Sequence, residues 1–152
     1  MIAAKETASI HVLALGVNPQ EHKILAQLAR SLQGNFELAE DDLDLWGRVQ
    51  SNHYDVCVLG QNKVINDPCY LVWLLRGVIP RARIILLYDE LSAHEIERLH
   101  TIEATHVLVR PVQLDQFARH FDEAIHNRTD DGAAERSIFR RLTFRPLFSW
   151  LK

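Results

Sequence analysis

YDVCVLG at residues 54–60 and RIILLY at 83–88 set the architecture. Each contains a short run of consecutive apolar residues, Val56 to Leu59 and Ile84 to Leu87, bounded by polar positions. A strand with one wet face alternates apolar and polar residues; a strand covered on both faces does not, and these two do not. VLV at 107–109 has the same character. With the flanking runs included, the strand candidates are Ile10 to Leu15, Phe36 to Ala39, Asp55 to Leu59, Arg83 to Tyr88 and Thr105 to Val109.

Segments of helical period separate them. Pro19 suits the first turn of a helix running to about Gln33, with Ile24, Leu25, Leu28 and Leu32 as its apolar stripe and Gly34 as its stop. Leu43 to Asn52 is a second, short helix. Asn66 or Asp67 caps a third that begins near Pro68 and ends at Gly77, with Pro80 beyond it. Ser92 and Glu95 form a capping box for a fourth, ending near His100. The fifth follows Pro111 and reaches about His126, with Leu114, Phe117, Phe121 and Ile125 turned inward. Such alternation predicts an α/β fold: a doubly wound, three-layer, flavodoxin-like (βα)5 domain, for which parallel sheet order 2-1-3-4-5 is one of the two common solutions and the one expected here. Ligands and chemistry then belong at the carboxyl ends of the strands.

The chain has 152 residues with ordinary globular composition, enough for one core. The expected division is a domain over 1–127 and a linker and tail over 128–152, the polar stretch NRTDDGAAE at 127–135 marking the change. Charge divides the same way: residues 1–127 hold 11 Lys or Arg against 17 acids, and residues 128–152 hold 6 against 3. An acidic body disfavours nucleic acid, whose phosphates need a broad positive surface. No signal peptide or apolar span is evident, so a cytosolic protein is expected. Cys57 and Cys69 are read as reduced, mostly buried thiols.

Four stretches carry a resemblance: VLALGVNP at 12–19, YDVCVLG at 54–60, RIILLY at 83–88 and EATHVLVRPV at 103–112. Together they resemble the receiver domain of bacterial response regulators (CheY-like) over roughly residues 9–126. The resemblance implies a phospho-accepting aspartate, an acidic pair that holds magnesium, a hydroxyl residue and a lysine. This chain departs at each position. Gly16 and Val17 stand for the acidic pair and offer no carboxylate to a hard cation. Gly60 stands for the nucleophile, Tyr88 for the hydroxyl residue and Arg110, before Pro111, for the lysine. Relocated acids do not rescue the site: Glu40, Asp41 and Asp42 follow the second strand, Asp89 and Glu90 the fourth, and those strands are about 14 Å apart in the expected order. Asp89 is read as an exposed acid near Arg110 or a helix N-terminus.

Other chemistry finds little support. None of the eight histidines forms an HxxxH pair, and His94 and His100 fall on opposed helix faces. GVNPQE after the first strand has one glycine where a dinucleotide fingerprint wants three, and no GxSxG elbow is present. No metal, cofactor or enzymatic activity is therefore expected; a small nucleotide- or flavin-binding protein using the strand-end crevice is the weaker reading. CYLVWLLRGVI at 69–79, with Trp73, is apolar nearly all round, which means deep burial or a docked partner; burial is expected. The tail SIFRRLTFRPLFSWLK at 137–152 holds four positive charges and no acid. Phe139, Arg140, Arg141, Phe144, Arg145, Phe148 and Trp150 make it a candidate for packing back on the domain, docking to a partner or lying at an anionic membrane surface. The sequence thus reads as a phosphorylation-independent pseudo-receiver in bacterial two-component or phosphorelay signalling. It would act through protein partners or a homodimer, with peripheral membrane contact through the tail as an alternative.

Overall fold

The computed structural model describes residues 9–63, 65, 67–99 and 105–129. The elements follow in strict alternation: β1 His11–Leu15, α1 Pro19–Ser31, β2 Asn35–Leu38, α2 Asp42–Ser51, β3 Val56–Gly60, α3 Cys69–Val78, β4 Arg83–Tyr88, α4 Ala93–Leu99, β5 Thr105–Val109 and α5 Leu114–Thr129. The strands form one parallel sheet in the order β2-β1-β3-β4-β5. This is the doubly wound, flavodoxin-like arrangement expected from the apolar runs. The tail candidates Phe139, Arg140, Arg141, Phe144, Arg145, Phe148 and Trp150 lie outside the described residues.

The apolar runs explain the layering. Along β3, Val56 and Val58 face a cluster built with Leu25 and Ala29 of α1 and Phe117 and Phe121 of α5. Cys57 and Leu59 face the opposite cluster, with Leu45 and Val49 of α2, Leu71, Val72 and Leu75 of α3 and Leu99 of α4. β4 divides likewise, Ile85 and Leu87 to one layer and Ile84, Leu86 and Tyr88 to the other. All these strand residues are fully out of water, so each large aliphatic side chain contributes about 1.5–3 kcal/mol of burial. Two buried layers require two sets of helices, and that requirement rules out a half-wet sheet.

Helix boundaries follow local chemistry. Asn18 caps α1 by accepting from the Glu21 N–H at 2.7 Å, while the Glu21 carboxylate accepts from the Asn18 N–H at 2.9 Å. This reciprocal pair satisfies two otherwise orphaned donors. α1 stops through Gln33, whose φ of 58° is left-handed, and the Gly34 N–H returns to the Ala29 carbonyl at 2.7 Å. The Ser92–Glu95 box is present at α4. At α3 the N-cap is Pro68, not Asp67 as expected, and it makes no side-chain cap bond; the Asp67 carboxylate, one residue earlier, accepts from the Cys69 N–H at 3.1 Å.

Two side-chain expectations need correction. Leu114 is 45% exposed, because as the first residue of α5 it precedes the turn whose Phe117 and Phe121 meet the sheet. α3 buries Cys69, Leu71, Val72 and Leu75 but leaves Tyr70, Trp73 and Leu74 exposed. One outer helix beside α2 and α4 covers the sheet with a single face, and an all-round apolar sequence does not change that geometry.

Arg83, at the start of β4, ties the sheet to α5. It is buried, pairs with Glu123, and donates through Nε to His120 Nδ1 at 3.1 Å. The His120 ring lies 4.7 Å from that of His106 on β5. Burial first, then the charges of Arg83 and Arg119, push the His120 pKa down to about 4. As an acceptor from Arg83 this imidazole is neutral. From pH about 6.5 down to about 4 the unfolded chain gains a proton there that the folded chain refuses, so stability falls as pH drops through that window. We predict that His120→Asn, which keeps an acceptor for Arg83, reduces the stability lost between pH 7 and 5 by on the order of 1–2 kcal/mol. Denaturant unfolding at the two pH values checks this; parallel losses in both proteins would contradict it.

Candidate functional site

The carboxyl edge of the sheet gathers the turns after β1, β3, β4 and β5. Gly16 follows β1 with φ of 79°, a conformation that side chains rarely adopt. A Cβ there would lie 2.2 Å from the Gly60 carbonyl oxygen. A Cβ on Gly60 would lie 2.4 Å from the Gly16 carbonyl oxygen and 2.6 Å from Arg110 Nη2. The ends of β1 and β3 therefore press together backbone to backbone, and the space into which a side chain at position 60 would project is occupied by a guanidinium.

Arg110 enters from the end of β5. Its backbone N–H bonds to the Tyr88 carbonyl at 2.8 Å, and its peptide bond to Pro111 is cis. Nε donates to Glu21 Oε2 at 2.6 Å and Nη2 to Glu21 Oε1 at 3.1 Å, a bidentate pair. Nη2 also donates to the Gly16 carbonyl at 3.0 Å, and Nη1 to the Gln61 carbonyl and to Asp89 Oδ1, the last at 3.2 Å. Glu21 is only 2% exposed. Burial opposes the charge on Arg110, but the hydrogen bonds to Glu21 and Asp89 and their charges outweigh it and raise its pKa. The site thus keeps a positive charge and spends its donors on the protein itself.

Several carboxylates that follow the strands are also engaged. Glu21 takes the guanidinium and the Asn18 N–H. Asp89 is the exposed acid beside Arg110 that its position after β4 suggested. Asp41 caps α2 by accepting from the Asp44 N–H at 2.8 Å. Among the described residues no group of three or more His, Cys, Asp or Glu is arranged to hold a metal ion.

Tyr88 leaves this cluster. Its ring is buried on the α2–α4 side, and its hydroxyl donates to Asp67 Oδ1 at 2.7 Å. Burial, then the Asp67 hydrogen bond and charge, push its pKa above the usual phenol range. Asp67 is held in turn by Arg98 and by the Cys69 N–H. Of the positions singled out in the sequence, Gly16, Gly60 and Arg110 meet, Val17 lines the rim, and Tyr88 faces the other layer. Above them opens a shallow crevice of about 710 Å³ whose walls include Val17, Asn18, Lys63, Asp89, Glu90 and Glu95. Its charges are of both signs, and Val17 and Leu91 are its apolar wall residues.

The site residue the sequence reading missed is Glu21. Asn18 and Glu21 at i and i+3 are legible as a capping box, yet that pattern says nothing of a partner 89 positions away. Trp73, the partner candidate within the described residues, is 66% exposed and remote from this edge on α3.

Solved structures match the whole described arrangement. The chain carries the receiver fold. A response-regulator receiver domain protein (CheY-like) of Methanospirillum hungatei superposes with a TM-score of 0.69 at 10% identity, covering 81% of this chain and 98% of that one. A two-component response regulator from Clostridium difficile gives 0.68 at 16% identity, covering 80% and 99%. The chemotaxis protein CheY4 of Vibrio cholerae gives 0.64 at 18% identity, covering 76% and 98%. No protein-family model and no curated protein matches the chain. At these identities the likeness is one of fold.

Removing one member of a buried ion pair strands the other charge, at a cost of about 3 kcal/mol. Glu21→Gln should therefore lower the unfolding free energy by about that amount, whereas Asp89→Asn, at an exposed contact, should change it by less than about 0.5 kcal/mol. Equal effects in chemical denaturation would contradict the assignment of Glu21 as the main counter-ion.

Proposed function

We propose that this chain is a receiver-type regulatory module that works by binding protein partners and takes no part in phosphoryl transfer. The observation that carries the reading is the Arg110 guanidinium lodged against Gly60 and locked to Glu21. A phosphorylatable receiver needs a carboxylate at the end of its third strand and oxygens for a cation beside it. Here the strand ends in glycine and the neighbouring turn in Gly16 and Val17. The buried carboxylate that is present, Glu21, is consumed by the arginine.

A module of this kind keeps the fold as a rigid display surface. α4, β5 and α5 form one candidate face for pairing with a partner or a second copy, and exposed Trp73 on α3 marks another. The basic, aromatic segment at 137–152 is a third interaction element, separated in sequence from the end of α5 at Thr129 by residues 130–136.

Incubation with a small phosphodonor and magnesium, read by intact mass, tests the proposal. The expected result is an unchanged mass, for the native chain and for Gly60→Asp alike, since an aspartate cannot project past Arg110 and Gly16 without displacing them. Gly60→Asp should also be destabilised by several kcal/mol, as overpacked buried sites are. Phosphate uptake by the native chain, localised to Asp89 or any other acid, would overturn it.

A further inference from the structure

α3 has two apolar faces. Cys69, Leu71, Val72 and Leu75 pack on the sheet, while Tyr70, Trp73, Leu74 and Gly77, at helical spacing i, i+3, i+4 and i+7, form a second stripe facing outward. Tyr70 is 46% exposed and Leu74 48%. A Cβ at Gly77 would meet nothing within 4 Å, so that end of the stripe is flat and open. At the other end the Asp42 carboxylate faces the Tyr70 hydroxyl, which sets the first turn of α2 alongside and adds Leu43, 79% exposed. Three exposed acids, Glu40, Asp41 and Asp42, border the patch there. A contiguous exposed apolar stripe rimmed with charge is the kind of surface that docks a partner.

We propose that the occupant is this chain's own segment 137–152. Three observations favour it. The first is position: α5 and α3 approach the same end of β4 from opposite layers. Arg83 at the start of β4 pairs with Glu123 of α5, and Arg76 of α3 donates to the Pro80 and Ala82 carbonyls at 3.0 and 2.8 Å. The second is length. Seven residues, 130–136, separate the end of α5 from the segment and reach roughly 25 Å when extended. Crossing from one helix layer to the other takes about 20 Å at roughly 10 Å per layer. That reach is enough for the segment to meet the Gly77 end of the stripe, and its length is enough to follow the stripe to Tyr70. The third is chemistry. Phe139, Phe144, Phe148 and Trp150 are large apolar groups that need cover, and the four cations without an acid complement the acids at the Tyr70 end.

This placement is independent of the phosphoryl reading, since α3 lies away from the Arg110 cluster. Photo-crosslinking of the full chain tests it, with a photoreactive probe introduced as Trp73→p-benzoylphenylalanine and, as a control in the other helix layer, as Leu114→p-benzoylphenylalanine. The expected result is a crosslink within the monomer from position 73 to peptides of 137–152, lost when Phe148→Asp and Trp150→Asp are added, and absent from position 114. Crosslinked dimers from position 73 would assign the stripe to a second copy and overturn the proposal. So would no crosslink to the segment, or equal crosslinking from both positions.

Discussion

Arg110 crosses the carboxyl edge of the sheet and binds the first turn of α1 through Glu21, the end of β1 through the Gly16 carbonyl, and the turn after β3 through the Gln61 carbonyl. A buried guanidinium is tolerable only when nearly all its donors are satisfied and a counter-ion lies close. The constraint runs both ways. Gly16 and Gly60 exclude side chains on each other through their backbones, Arg110 adds a second obstacle at Gly60, and Glu21 is buried against the arginine that balances its charge. The capping box of α1 supplies the carboxylate already oriented, so helix start and site form one unit.

Under the proposed function, scaffold and chemistry separate. The sheet order, the two-layer core and the helix positions superpose on receiver structures from bacteria and an archaeal methanogen. At the carboxyl edge of that scaffold Arg110 is bonded to Glu21, Asp89 and the Gly16 and Gln61 carbonyls. Among the described residues, exposed apolar side chains lie away from that edge as well, Tyr70, Trp73 and Leu74 on the outward stripe of α3.

The scaffold was largely legible in the sequence because it rests on local patterns. The unbroken apolar runs of β3 and β4 announce burial on both faces, and Asn18, Asp41 and Ser92 mark helix starts by chemistry that acts within four residues. The lack of a carboxylate at Gly60 was legible for the same reason. The Glu21–Arg110 pair was not, since one-dimensional spacing carries no sign of a contact between the first helix and the last strand. Nor was the exposure of Trp73 and Leu74: periodicity shows that α3 has apolar residues all round but cannot say which face the sheet takes. Leu114 failed likewise, because a stripe continued to the first residue of a helix overruns the turn at which packing begins.

The guanidinium of Arg110 lies against Gly60 and the Gly16 carbonyl, and the proposed function depends on that position. Titrating magnesium into isotopically labelled protein while following backbone amide resonances tests it without intermediates. Gly16, Gly60 and Gln61 should stay in place at cation concentrations that saturate ordinary receivers. Saturable shifts at those three amides, with release of Arg110 from Glu21, would show that the edge is open to a cation after all and contradict the closed site.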